Sequence, residues 1–530
     1  MAIAVDFGTS NTVITRWNPA TESPETLALP GLSLQLAGVP PLVPSLVYVE
    51  KPQANGVVVG HAVRDRGLDI AADPRFFANI KRGIGTPLQG FLPDIDGESL
   101  SFEQLGEWFL RSLLTQVRQV AGDDDNLVLT VPVDSFETYR LWLGDVVAAL
   151  DFSQVRLIDE PTAAALGYGL TGEQTLLVLD FGGGTLDWSL VRLVAPAQQK
   201  PPIGFLLKWR GQGAEQTSAQ KPEVARVLAK AGENLGGADI DQWLVDYFQT
   251  QGIAGGAVVQ RLAERLKIAL STQTEAAEAY FDDETFDTYD LALTRDQFED
   301  ILAQNQFFER LEKGLAQVLQ QGQRQGIDQE AIDAVLLVGG TAQIPALQRW
   351  VTERFGTERV RCDRPFEAVA QGALQVAQGL AVEDFLYHSY GIRYWDRRNN
   401  RHGWHSILPQ GQPYPMSAPV ELTLGASVEK QPSIELIVGE LGAASTQTEV
   451  YFENGRLVTR QLGGDAPSVQ PLNDREGART IAQLEPPGFP GSDRVRVLFR
   501  VDRDRLLRIT VEDILTGNTL LDNEAVVRLS

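Results

Sequence analysis

The sequence predicts a two-lobed α/β domain followed by an antiparallel β-domain, and three observations carry that reading. Two distant hairpins echo one another. Ala2–Ile14 reads AIAVDFGTSNTVI and Leu176–Leu190 reads LLVLDFGGGTLDWSL, each a strand, an Asp-Phe-Gly turn with hydroxyl residues, and a second strand. A further apolar strand, Ala334–Val338, runs into Gly339-Gly340-Thr341. Beyond Gly379 the pattern changes to short alternating stretches divided by turns. These features place the lobes at 1–170 and 171–379, a connecting segment at 380–390 and the β-domain at 391–530.

The turns carry the chemistry. Glycines let a bulky anion approach the main chain, and successive N–H groups in such a turn form an anion nest. Asp180 at the strand end repels a phosphate unless a hard cation lies between them. Mg²⁺ suits that place, because it keeps its waters and binds through one or two carboxylates and phosphate oxygens. Asp6, Gly8, Thr9 and Ser10 repeat Asp180, Gly182, Gly184 and Thr185. Two such loops facing across a cleft fit one triphosphate. A lone Gly-Gly-Gly would mean only a flexible hairpin.

Composition sets limits. The chain has 530 residues and a formal net charge of −24, a field that repels nucleic-acid backbones. Its single cysteine, Cys362, permits no internal disulfide and points to a reducing, cytoplasmic setting. The N-terminus lacks the basic region of a secretory signal, and no apolar run reaches the roughly 18 residues of a membrane helix. His402 and His405 have no cysteine or further histidine nearby, so they read as loop residues.

In chain order, residues 18–45 read as a loop before a strand near Leu46–Val49. Phe76–Gly85 ends in the basic pair Lys81-Arg82, ordinarily solvated surface charge. Phe102–Val120 has helical spacing, and Asp123–Asp125 reads as a solvated turn. Leu127–Val133 is a strand, Thr138–Leu150 a helix and Val155–Ile158 a strand. Pro161 holds Glu160 extended at that strand's end and opens the next helix as a first-turn proline. Residues 195–222 read as a surface loop. In the helix Val258–Thr272, Glu264, Lys267 and Ser271 share one face, which alone would mean a charged surface. Val420–Leu424, Ile434–Val438, Val450–Thr459 with its Asn454-Gly455 turn, Val495–Val501 and Leu507–Val511 make an antiparallel β-sandwich.

Taken in order, Asp6-Phe-Gly-Thr-Ser-Asn11, Val131-Pro132, Ile158-Asp-Glu-Pro-Thr-Ala-Ala-Ala165, Asp180-Phe-Gly-Gly-Gly-Thr-Leu-Asp187 and Val338-Gly-Gly-Thr341 resemble the ATPase domain of the DnaK-type heat-shock chaperones. That family is related to actin and the sugar kinases, so the resemblance implies an actin-like ATPase fold. It covers residues 1–380 closely and the remainder more loosely. It implies an ATP-dependent molecular chaperone that binds extended apolar peptide segments under control of ATP hydrolysis.

The resemblance also assigns roles. Asp6 and Asp180 hold Mg²⁺ through water. Lys81, Glu160, Asp180, Thr185 and Asp187 carry hydrolysis, with Lys81 reaching the γ-phosphate. Gly8, Thr9, Ser10, Asn11, Gly182, Gly183, Gly184, Gly236, Gly237, Gly339, Gly340 and Thr341 contact nucleotide, and Glu264, Lys267 and Ser271 lie over the adenosine. The sequence departs from the family around the base: Ile268 and Gln343 stand where two arginines usually sandwich it, and Phe366 where a carboxylate lies. In the β-domain, Ile434 and Leu436 match cleft-lining positions, though both also fit a plain core. Pro132, Arg140 and Arg156 match positions for interdomain or co-chaperone contact. Implied partners are unfolded polypeptide, a J-domain co-chaperone and a nucleotide-exchange factor, with neither nucleic acid nor membrane. The family's helical lid has no counterpart before Ser530, so a lidless member is expected.

Other classes remain open: a nucleotide-gated scaffold or actin-like filament protein with little turnover, and a small-molecule kinase. ATP-dependent polymerisation would mark the filament, and phosphate on a substrate instead of in water the kinase.

Overall fold

The computed structural model describes the whole chain except residues 1, 19, 36–37, 71–72, 86–91, 122–125, 133–136, 149, 151, 153, 171, 194–224, 282–285, 287, 378–385, 387, 397–400, 410–411, 413, 417, 442–446, 454–455, 463–468, 475–479, 503–504 and 530. The turns at Asp123–Asp125 and Asn454-Gly455, the 195–222 loop and most of the 380–390 connection lie outside the described residues. The chain divides into two compact units. The first is Met1–Glu383 with Glu449–Arg460, and the second is Asp384–Thr448 with Gln461–Ser530.

The first unit contains the same sheet twice. One sheet runs in the order Ser23–Thr26, Asn11–Asn18, Ala2–Phe7, Asn126–Val131, Gln154–Asp159, with Val43–Pro44 also on Asn11–Asn18. The other runs Ala225–Glu233, Leu186–Leu193, Gln174–Phe181, Ala334–Val338, Val360–Arg361. In each, three antiparallel strands are followed by two parallel ones. The echo between the hairpins is therefore an echo of whole sheets. Leu176, Leu177, Val178 and Leu179 are all buried, the continuous apolar run of a strand covered on both faces.

Helices Glu160–Gly167 and Ala368–Ala377 join the two halves. They pack on each other, and the second also lies on Ala2–Phe7 and Asn126–Val131. Their approach is backbone to backbone: a Cβ on Gly372 would stand 1.8 Å from the Ala163 carbonyl oxygen, and one on Gly167 1.8 Å from that of Ala368. The alanine-rich sequence at 163–165 is what permits this spacing. Thr15 Oγ1 adds a tie by donating to the Ala370 carbonyl at 3.0 Å.

The helix at 160 begins one residue earlier than the proline predicts. Asp159, not Glu160, is the extended residue, with φ −70° and ψ 145°. Its carboxylate accepts from Thr162 N at 2.8 Å, and satisfying that first-turn donor moves the start back. The helix carrying Glu264 and Lys267 spans Ala257–Leu270, leaving Ser271 as its C-cap.

The second unit is antiparallel. One four-stranded sheet has the order Arg401–Leu408, Ser389–Asp396, Val438–Leu441, Val469–Pro471, and another the order Val420–Gly425, Asp493–Val501, Leu506–Asp513, Thr519–Arg528. Inward residues of both, including Tyr390, Ile392, Val497, Phe499 and Ile509, share one core. The strand expected at Ile434–Val438 is broken at Ile437. Gln431–Leu436 pairs with Thr480–Gly488, whereas Val438–Leu441 joins Ser389–Asp396. Asn473 repairs the break: its Oδ1 accepts from Val438 N at 2.8 Å and its Nδ2 donates to Leu436 O at 3.0 Å. Among the described residues no helix is long and apolar enough to cross a membrane.

Candidate functional site

Three glycine turns meet in the first unit. Gly183 lies so close to the first hairpin that a Cβ there would stand 1.8 Å from Ser10 Oγ, and one on Gly184 2.6 Å from the Thr9 methyl. Helix Gly237–Thr250 points its N-terminus at the same turn: Gly237 N donates to Gly182 O and Ala238 N to Gly183 O, both at 3.0 Å. Thr341 Oγ1 donates to Gly182 O at 2.8 Å from the third turn, where Gly339 has φ +85°. Gly8, Thr9, Ser10, Gly182–Gly184, Gly236, Gly237, Gly339, Gly340 and Thr341 thus gather in one place. A helix N-terminus and backbone nests suit an anion. Asn11 opens the second strand of the first hairpin.

Beside the turns sits an acidic cluster with a lysine in it. Lys81 Nζ pairs with Glu160 Oε1 at 2.9 Å and lies 5.9 Å from the Phe7 ring centroid. Asp180 and Asp187 face each other across their hairpin. Like charges directly opposite are destabilising in a sheet, so this pairing costs stability. Thr130 Oγ1 donates to Asp6 Oδ1 at 2.6 Å. Desolvation, then Glu160, push the Asp6 carboxyl up to about 6, against Lys81 and Thr130. Asp180 is raised well above the usual carboxylate range by burial and by Glu160, Asp187 and Asp6. Burial opposes the charge on Lys81, but Glu160, Tyr139 and Asp6 outweigh it and its pKa rises.

Such a cluster of carboxylates held against their preferred ionisation fits a cation. Among the described residues no three His, Cys, Asp or Glu side chains converge closely enough to ligate one ion directly. A divalent ion here would rely on water and phosphate oxygens, the habit of Mg²⁺.

The charged helix face lies nearby, and its members are engaged. Lys267 Nζ is 2.8 Å from Asp241 Oδ1 and donates to Gly237 O at 2.9 Å. Burial, opposed by Lys267, holds Asp241 up at about 7. Glu264 pairs with Arg64, and Ser271 Oγ donates to Lys267 O at 3.2 Å. Among the residues that depart from the family pattern, Ile268 is 54% exposed and the Phe366 ring packs against Gly340.

Residues that carry no motif complete the site. Arg82 Nη2 pairs with Asp239 at 2.6 Å and also donates to the Gly184 carbonyl, joining the halves beside the glycine turns. Arg64 with Glu264, and Arg261 with Asp69 at 3.2 Å, make two more such bridges. Tyr139 is buried, its hydroxyl without a hydrogen-bond partner among the described residues, close enough to Lys81, Glu160 and Asp6 to respond to each. Burial pushes its pKa up to about 12, against Lys81. Only Arg82 had a signal in the sequence, its place beside Lys81.

Of the positions matched to interdomain contact, Pro132 lines a cavity with Glu160 and Asp187, Arg140 is buried, and Arg156 donates to the Val376 carbonyl. In the second unit Ile434 and Leu436 are 7% and 1% exposed within the core.

Comparisons with known proteins agree on one family. The family model described as Hsp70 protein matches residues 90–196 and 221–394, more than half of the chain. A chaperone protein DnaK of Thermosipho melanesiensis is 28% identical over 540 residues, covering 97% of this chain and 78% of its own. The DnaK of Thermosipho africanus is 27% identical over the same extent.

Proposed function

The chain belongs to the Hsp70 family and is an ATP-dependent molecular chaperone, and we propose that the site described above is where it binds and hydrolyses ATP. The observation carrying this reading is the meeting of three glycine turns and a helix N-terminus beside the Lys81–Glu160 pair and the Asp6, Asp180 and Asp187 carboxylates.

In this reading the N–H groups at 182–184 and the hydroxyls of Thr9 and Ser10 cradle the phosphates, while Gly339–Thr341 and the 264–271 face hold the nucleoside. Asp6 and Asp180 would hold Mg²⁺ through water; when bound, it neutralises phosphate charge and fixes the phosphates' orientation. Lys81, Glu160, Thr185 and Asp187 orient the attacking water, and Lys81 stabilises charge on the transferring group. The water oxygen bonds to the terminal phosphorus as its bond to the bridging oxygen breaks. ADP and orthophosphate result, and the surplus proton leaves through Glu160 and Asp187.

Hydrolysis would then change lobe closure and, through the 380–390 segment, peptide affinity in the β-domain at Ile434 and Leu436. Unfolded polypeptide, a J-domain co-chaperone and a nucleotide-exchange factor are the proposed partners. The single cysteine supports a cytoplasmic place. The rebuilt base region, with Ile268, Gln343 and Phe366, favours one second reading: a nucleotide-gated binding module with little turnover.

The test is ATP hydrolysis with and without an extended apolar peptide. Phosphate release that rises with peptide supports the chaperone cycle. Tight nucleotide binding with no release supports the gated module.

A further inference from the structure

Between the strand pair Leu186–Leu193 and Ala225–Glu233 and the start of helix Glu160–Gly167 lies a cavity of about 20 Å³, lined by Glu160, Asp180, Asp187, Ser189 and Lys230 among others. That volume admits one water molecule, and the lining offers it several polar partners. Register explains the lining. Lys230 pairs with Ser189, and Gly232 with Asp187, across antiparallel strands. Lys230, Ser189 and Asp187 therefore share one face, on which helix Glu160–Gly167 packs. From the outer edge Gln321 fixes the lysine's main chain. Its Oε1 accepts from Lys230 N at 3.1 Å and its Nε2 donates to Lys230 O at 2.9 Å.

Lys230 is 7% exposed. A lysine buried to this degree is tolerated where anions offset the hydration it gives up. Three carboxylates line the same cavity. The balance of the whole cluster also matters. Asp6, Glu160, Asp180 and Asp187 outnumber Lys81 four to one, and Lys230 adds a second cation to that balance.

We propose that Lys230 is a positioning residue of the hydrolytic site, holding with Ser189 the single water that fits the cavity and offsetting the charge of Glu160 and Asp187. This rests on the ATPase reading above. Without the ammonium group the water is less ordered and the acidic cluster carries an uncancelled charge. Hydrolysis should then slow more than nucleotide binding weakens, and Mg²⁺ should bind more tightly, because the field it enters is more negative.

The experiment compares wild type, Lys230→Met and Lys230→Arg as full chains. Single-turnover hydrolysis should fall at least tenfold in Lys230→Met, while the ATP Kd changes less than threefold. Lys230→Arg should recover a substantial part of the rate. Calorimetric titration should show half-saturating Mg²⁺ falling severalfold in Lys230→Met; a merely structural lysine would give weaker Mg²⁺ binding or none of these shifts. If Lys230→Met does not fold, Lys230→Gln is held to the same criteria. A wild-type rate with unchanged Mg²⁺ affinity in a folded variant overturns the role of Lys230 alone. A wild-type chain without turnover overturns the ATPase reading, and this role with it.

Discussion

At the scale of single residues, the site works against its own stability. Asp6 has a folded pKa of about 6, above its ordinary 3.8. For an acid raised in this way, the stabilising contribution is complete below the unfolded pKa and is lost as pH rises through the folded one. In metal-free, nucleotide-free protein at neutral pH the ionised Asp6 is a net cost. Asp6→Asn should therefore raise the melting temperature near pH 7, by an amount worth up to about 3 kcal/mol, with no gain near pH 4. Hydrolysis should be lost in the same variant. Melting curves across pH 4–8 decide the point; a uniform loss of stability would show that Asp6 is structural.

The proposed base pocket gives a second residue-scale prediction. Ile268 and Gln343 offer no guanidinium to stack on a purine, and a cation–π stack is worth about 0.5–2 kcal/mol. ATP should bind more weakly than to relatives with both arginines, by a few-fold to roughly 30-fold per residue, and GTP should be discriminated against only modestly. Calorimetric titration with both nucleotides checks this, and strong rejection of GTP would refute it. The glycine turns and the carboxylates beside them stood out in the sequence because each sits in a short contiguous stretch with its own chemistry, whereas Lys81 was singled out only by the family resemblance. Lys230, Tyr139 and Arg64 did not stand out. Their meaning depends on strand register and on which helix covers which face, and nothing adjacent in the chain marks them.

At the scale of elements, the crossing of Glu160–Gly167 with Ala368–Ala377 sets how closely the halves approach. Gly372→Leu would drive a side chain into the Ala163 carbonyl. Overpacking of this kind costs about 1–3 kcal/mol, and here it should also misplace Glu160. Lower stability together with hydrolysis reduced at least tenfold is expected, and a stable, fully active variant would mean the crossing is pliable. The ion pairs Arg64–Glu264 and Arg261–Asp69 tie the two halves in a different way. Arg64→Ala should speed nucleotide release severalfold with little change in the association rate, since lost contacts act mainly on dissociation. Stopped-flow release of a fluorescent nucleotide measures it, and an unchanged off-rate would make the bridge incidental.

Element boundaries show where sequence reasoning stops. The strand Ala334–Val338 was legible to the residue, being a short apolar run set between Asp333 and the Gly339-Gly340 turn. The helix start at Glu160 was not, because the Asp159 carboxylate competes with the proline for the cap. The break at Ile437 could not be foreseen either: the side chain that heals it, Asn473, is distant in sequence.

At the scale of the molecule, a duplicated sheet puts equivalent turns on the two halves, so one anion can be held from both sides and report on their closure. In the proposed cycle the second, antiparallel unit supplies the surface whose peptide affinity closure would control. The duplication could be read from the echo of two hairpins, whereas the pairing of strands in the second unit depended on contacts far apart in the chain. In the proposed cycle the Lys81–Glu160 pair drives the hydrolysis to which peptide binding is coupled. Single-turnover ATP hydrolysis of wild type and Lys81→Ala, each with and without an extended apolar peptide, tests it most directly. Wild type should hydrolyse ATP faster with peptide, and Lys81→Ala should bind nucleotide yet lose roughly 10²–10³ in rate under both conditions. Wild-type turnover by Lys81→Ala would remove the pair from the hydrolytic role, and a wild-type rate indifferent to peptide would uncouple hydrolysis from peptide binding.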